Sequence, residues 1–166
     1  MKTVYLMRHA KASQNLYGII DIDRPLLTEG IEDSHLIANH LKDQNIHIKH
    51  LVSSPAIRAF ETAEAVAHIF GIKKDDILTY DELYKADIPA FEDCIFSLPD
   101  TWDHVMLVSH NPGITQFAGS LIKLEEPMPT AGVLSITFNM EKWINLYASS
   151  PVMNFLISPK NMKTKG

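Results

Sequence analysis

The chain has 166 residues, 46% of them hydrophobic and 21% charged, which suits one globular domain with a sizeable core. Its net charge of -5 excludes the broadly basic face of a general nucleic-acid binder, while a local anion site stays compatible with it. The single cysteine, Cys94, excludes an internal disulfide, and no apolar stretch is long enough to span a bilayer. The apolar run after Lys2 is too short for a signal peptide, so the expectation is a soluble, cytoplasmic protein.

The first predicted element is a buried strand, Thr3 to Met7, ending in Arg8-His9. Residues 10–27 read as a loop, broken by Gly18, Asp21, Asp23 and Pro25. Thr28 is a candidate N-cap for a helix to about residue 44, with Ile31, Ala38 and Leu41 at helical spacing. A second strand spans 48–53. Ser54 and Pro55 then open a helix with the apolar stripe Phe60, Ala63, Ala67 and Phe70, stopped by Gly71. A short strand at 77–79 precedes the acidic segment Asp81 to Tyr84, followed by a helix over 89–97 and a strand over 104–109. Asn111 and Pro112 start a helix to about 122. Gly132 to Phe138 and Asn154 to Ile157 read as strands that extend the sheet, one of them antiparallel. A single domain over 1–159 with a basic tail over 160–166 follows. The alternation of strands and helices predicts a three-layer α/β/α sandwich with a mostly parallel sheet.

Three apolar runs share one shape. Arg8-His9 follows the first, Arg58 comes shortly after Ser53-Ser54-Pro55, and His110-Asn111-Pro112 follows Val105 to Ser109. Sites in open parallel sheets form beyond the carboxyl ends of strands, so two arginines and two histidines converge on one mouth. Arginine forks suit phosphate oxygens, and a neutral imidazole can attack phosphorus. Neighbouring arginines oppose protonation of His9 and keep its lone pair free. Taken singly, Arg58 is equally a surface helix arginine and His110 a turn cap; the three strand ends together favour the phosphoryl pocket.

Leu6-Met7-Arg8-His9-Ala10 resembles the Arg-His-Gly signature of the histidine phosphatase (phosphoglycerate mutase-like) superfamily. Arg24-Pro25-Leu26-Leu27-Thr28-Glu29-Gly30, Ser53-Ser54-Pro55 with Arg58 and Thr62, and Val108-Ser109-His110-Asn111-Pro112 resemble its later blocks. The short length and the ending Ser158-Pro159-Lys160 are similar to the SixA-type phosphohistidine phosphatases. The resemblance implies a phosphoglycerate mutase-like fold, with His9 as the nucleophile and Arg8, Arg58 and His110 as the phosphate pocket. It also implies that Asn15 touches phosphate. Glu82 stands near the place of the family's proton donor, with Asp81 and Asp87 as rivals and a solvated loop carboxylate as the ordinary reading. Two positions depart from the pattern: Ala10 replaces glycine, which requires an ordinary backbone conformation there, and Lys11 stands where mutase-type relatives usually carry glutamate.

The reading is therefore a phosphatase with a covalent phosphohistidine intermediate, acting on phosphohistidine in a protein such as a histidine phosphotransfer domain. Two alternatives stay open: a small phosphomonoesterase acting on a metabolite or phosphopeptide, and a non-catalytic phosphate-binding module. No cofactor, nucleic acid or membrane partner is expected. No glycine-rich dinucleotide or Walker motif is present. His47 and His50 lack the further ligands of a metal site, and Ser109-His110 lacks the G-x-S-x-G elbow of a serine hydrolase. Cys94 reads as core.

Overall fold

The computed structural model describes residues 1–14 and 17–164. Six strands form one sheet: β1 (Lys2–Arg8), β2 (His50–Ser53), β3 (Leu78–Thr79), β4 (His104–Ser109), β5 (Val133–Phe138) and β6 (Val152–Ile157), in the order β3-β2-β4-β1-β5-β6. The first four are mutually parallel. β5 runs antiparallel to β1, and β6 antiparallel to β5. The sheet is thus mostly, not wholly, parallel.

Side chains alternate across the pleat, and both faces are covered. Val4, Leu6, Val105 and Leu107 face α3 (Ile88–Phe96) and α4 (Gly113–Leu121), with Phe91 stacked on Phe117 at 5.0 Å. Tyr5, Met7, Met106 and Val108 face α1 (Thr28–Asp43) and α2 (Ile57–Phe70). This double coverage is why β1 and β4 read as continuous apolar runs. A last helix, α5 (Pro159–Thr164), carries Lys163 to the buried carboxylate of Asp33 on α1, 2.7 Å away. Among the described residues, no helix is long and apolar enough to cross a membrane.

Helix starts differ from the sequence reading. Thr28 is the first helical residue, and Leu27 occupies the cap without a side-chain bond. The buried face of α1 runs through Gly30, Asp33, Ser34, Ile37, Ala38 and Leu41, so Ile31 falls outside it and is exposed. α2 begins at Ile57 rather than Pro55, and α4 begins at Gly113 with Pro112 in the cap position. In both, the expected capping side chain is partly or wholly engaged elsewhere. Ser54 meets His110, and Asn111 donates to the Met128 carbonyl while accepting from the Thr115 hydroxyl. Gly71 ends α2 as expected, with φ of 71°. The short helical segment Trp143–Ala148 has no clear sequence signal; Trp143 and Leu146 are its buried residues.

Candidate active site

The carboxyl end of β1 is tied on both sides. The Arg8 N–H donates to the Gly132 carbonyl, the His9 N–H donates to the Ser109 carbonyl, and the His9 carbonyl accepts from the Ala131 N–H. Ala10 is fully buried, and its N–H donates to the Thr62 hydroxyl. Its φ is not positive, so alanine fits without strain where the family signature has glycine.

His9 Nδ1 lies 2.7 Å from the carbonyl oxygen of Ala10. A carbonyl only accepts, so Nδ1 carries the ring proton and Nε2 keeps its lone pair. Burial lowers the His9 pKa to about 4, opposed by the Ala10 bond and reinforced by the charges of Arg58, Arg8 and Arg24. The ring is therefore neutral near pH 7, the form that a nucleophile needs.

His110 follows β4, its ring 5.0 Å from that of His9. Its Nε2 is 2.7 Å from Ser54 Oγ, while its Nδ1 is buried without a partner. The Ser54 oxygen already accepts from the Ala56 N–H, and His110 Nε2 is the acceptor shown for its hydroxyl proton, so the ring proton of His110 is assigned to Nδ1. Burial lowers this pKa to about 3, with His9 and Arg58 adding to the effect. Arg58 enters from the first turn of α2 and is almost wholly buried. Arg8 donates through one terminal nitrogen to the Met128 carbonyl, 3.1 Å away. The Nε atoms of Arg8 and Arg58 are buried and unpartnered, like His110 Nδ1. Arg8, His9, Arg58 and His110 line one cavity of about 440 Å³ together with Lys11, Arg24 and Asn111. It is a neutral imidazole among cationic forks, and three of its lining residues carry a buried nitrogen without a partner.

A family model described as "Histidine phosphatase superfamily (branch 1)" matches residues 4–97. The chain belongs to this superfamily. It is 27% identical over 163 residues to the phosphohistidine phosphatase SixA of Escherichia coli (strain K12), covering 96% of each chain. Over 73 residues it is 41% identical to a 2,3-bisphosphoglycerate-dependent phosphoglycerate mutase of Thermoplasma acidophilum, covering 42% of this chain and 36% of that one. In structure it matches the protein histidine phosphatase SixA complexed with tungstate, with a TM-score of 0.81 and 27% identity, covering 96% of this chain and 99% of that one.

This histidine phosphatase domain has a second set of site residues that strand-end reasoning does not reach. Asp21 sits in a short 3-10 turn, Asp21–Asp23, within the loop over the mouth. Its backbone carbonyl accepts from Arg58 at 2.7 Å, and its Oδ2 accepts from Arg58 at 3.1 Å and from the Tyr84 hydroxyl at 2.5 Å. Its Oδ1 accepts from Arg24 Nε at 3.0 Å and lies 3.0 Å from a second Arg24 nitrogen. Tyr84 and the two arginines hold the carboxyl far below the usual carboxylate range, so it stays ionised. Arg24 was visible only as part of a resembling block; Asp21 and Tyr84 carry no sequence signal beyond loop composition.

Close approaches lock the loops in place. A side chain on Gly30 would place its Cβ 2.2 Å from the Lys11 carbonyl oxygen, and one on Gly113 would place it 2.1 Å from that of Ala86. The Leu26 N–H donates to Glu61 on α2.

Glu82 is not brought to the cavity. The 3-10 turn Asp81–Leu83 buries Leu83 in the core, and exposed Glu82 lies where its charge helps raise the pKa of Cys94, on the far-side helix α3. Burial is the larger cause there, pushing the thiol to about 12. The rivals do not fill the role: Asp81 is exposed and lines neither cavity at the mouth, and Asp87 caps α3 by accepting from the Ala90 N–H. Asn15 lies outside the described residues. Among the described residues, no group of three or more His, Cys, Asp or Glu side chains could hold a metal ion.

Proposed function

We propose that this protein is a phosphatase that takes the phosphoryl group from phosphohistidine on a protein and passes it through a covalent intermediate on His9. The observation that carries this reading is the state of the cavity. His9 Nε2 has its lone pair free, while the unpartnered donors of Arg8, Arg58 and His110 belong to residues lining the same space. A bound phosphoryl group supplies the acceptors those buried donors lack.

In the first step His9 Nε2 attacks phosphorus, a new N–P bond forms, and the electron pair of the old bond leaves with the substrate's ring nitrogen. Arg8, Arg58 and His110 bind the non-bridging oxygens as charge spreads over them. Water then hydrolyses the phosphoryl-His9 bond and returns the free enzyme.

The choice of substrate follows from the proton balance. An alkoxide leaving group requires a positioned acid, which typically contributes ~10²–10⁴-fold. Among the described residues, no carboxylate lines the cavity that holds His9; Asp21 lines the neighbouring one, and it is held ionised by Tyr84, Arg58 and Arg24. A phosphohistidine ring can carry its own proton on the second nitrogen and depart as neutral imidazole, so it needs no acid from the protein. Near full-length similarity to phosphohistidine phosphatase SixA, and to a structure of that enzyme holding the tetrahedral oxyanion tungstate, supports the same reading.

The test is hydrolysis of a phosphohistidine-bearing protein beside p-nitrophenyl phosphate and a panel of alkyl phosphates. Cleavage of the first two with alkyl phosphates left almost untouched is expected. Rapid turnover of alkyl phosphates, with none of phosphohistidine, overturns the reading.

A further inference from the structure

A second cavity of about 320 Å³ adjoins the phosphate cavity. The two share Arg58, His110 and Asn111 as a common wall, but His9 lines only the first. In-line transfer places the leaving group opposite the nucleophile. A phosphoryl group attacked by His9 and held on the shared wall therefore directs its leaving group toward the second cavity. There the ring of Tyr84, the small residues Ala86 and Gly113, and Pro112 surround it, with Lys85 beside them.

Lys85 is the unusual member. Its φ is 55°, a left-handed conformation that non-glycine residues adopt at a cost. The surroundings impose it from both sides. The Ser109 hydroxyl holds the Leu83 carbonyl at 2.8 Å, Asp21 holds the Tyr84 hydroxyl, and the Ala86 carbonyl is seated on Gly113. Lys85 lies between these anchors. Its ammonium rests 5.3 Å from the centre of the Tyr84 ring and has no carboxylate partner among the described residues. The other charged walls of this cavity, Asp21 and Arg58, are paired with each other through one Arg58 terminal nitrogen. Lys85 is thus an exposed, unpaired cation fixed at the rim of the space that the leaving group enters.

We infer that the second cavity is a substrate subsite and that Lys85 selects a phosphorylated side chain with a carboxylate close beside it. This rests on the phosphohistidine reading above and adds the neighbouring acidic residue as a recognition element. The preference acts on binding, since Lys85 reaches the flank of the substrate and not the transferring group.

The test uses two phosphohistidine peptides that differ only in the flanking residue, glutamate or glutamine, with wild type, Lys85→Gly, Lys85→Arg and Lys85→Glu. Lys85→Gly accepts the positive φ and removes the ammonium together with its alkyl chain, which Lys85→Arg and Lys85→Glu retain in large part. Wild type should favour the glutamate peptide by about two- to fivefold in kcat/KM, carried by KM, as expected of a partly exposed ion pair. Lys85→Gly should bring the ratio to one, Lys85→Arg should restore it, and Lys85→Glu should invert it. Equal use of both peptides by wild type, or a ratio unchanged in Lys85→Gly, overturns the inference while leaving the phosphohistidine reading intact. A wild-type protein that hydrolyses p-nitrophenyl phosphate but neither peptide overturns both.

Discussion

Asp21→Asn isolates the contribution of pre-aiming the arginines. The substitution leaves the backbone carbonyl that accepts from Arg58 in place. It removes the charge that Arg24 and Arg58 share and puts an amide N–H₂, itself a donor, against one of them. Charge-assisted hydrogen bonds are worth about 1.5–3 kcal/mol each. The Asp21 side chain is 40% exposed, so solvent screening reduces each arginine contact to about 1 kcal/mol. Two such contacts give about 2 kcal/mol, or roughly thirtyfold in the affinity of a phosphate mimic. The assay is competitive inhibition of p-nitrophenyl phosphate hydrolysis by vanadate, with thermal melting measured alongside. Inhibition should weaken by up to that factor, with the melting midpoint lowered by no more than a few degrees, because the arginines keep their other anchors. Vanadate inhibition within twofold of wild type would refute the claim that Asp21 holds Arg58 and Arg24 ready for the anion.

His9→Ala should abolish turnover yet retain vanadate binding through Arg8, Arg58 and His110, and rapid-quench label on wild type should be acid-labile; a phosphoenzyme stable in acid would point to another nucleophile. Glu82→Gln should leave the hydrolysis of p-nitrophenyl phosphate, alkyl phosphates and phosphohistidine unchanged, since this side chain lines neither cavity at the mouth; a steep loss confined to alkyl phosphates would reinstate it as the acid. Acid should destabilise the fold through the two site histidines. The unfolded chain binds protons at their ordinary pKa of 6.5, whereas the folded protein resists until about 4 at His9 and about 3 at His110. Stability is then fully present above pH ~6.5 and lost as pH falls through the two folded values. The melting midpoint should drop across this range, and His9→Asn should flatten the slope; a flat wild-type profile would contradict the burial argument.

The strands that place the site were legible because burial on both faces leaves an unmistakable mark. β4 matches the expected 104–109 residue for residue, and β1 differs only at its ends. Arg8, His9, Arg58 and His110 followed, because each lies at or just beyond a strand's end. Ser54 and Asn111, read as the residues that open α2 and α4, also bond His110 and the Met128 carbonyl, since a side chain that suits a cap also suits a histidine or a distant carbonyl. Asp21 and Tyr84 escaped because their encounter depends on how an 18-residue stretch, 10–27, folds back over α2. Glu82 was misplaced for a related reason. In a 3-10 turn, one residue decides which neighbour goes inward, and Leu83 takes the core position.

The placement of β1 has a consequence for how the chain is made. β1 emerges from the ribosome well before its partners, which are β4, where Thr3 pairs with His104, and β5, where Lys2 pairs with Phe138. At ordinary rates of elongation, on the order of ten seconds pass before either partner exists. Throughout that interval Val4 to Met7, destined to be almost fully buried, has no native neighbour on either edge. Nor does Lys2, whose ammonium finally rests on the carbonyls of Asp100 and Trp102 and the carboxylate of Asp103. The segment that delivers the nucleophile is therefore the one most exposed to mispairing in the nascent chain. Slowed translation downstream of β1 should lower the yield of active protein, and a chaperone that shields apolar strands should raise it.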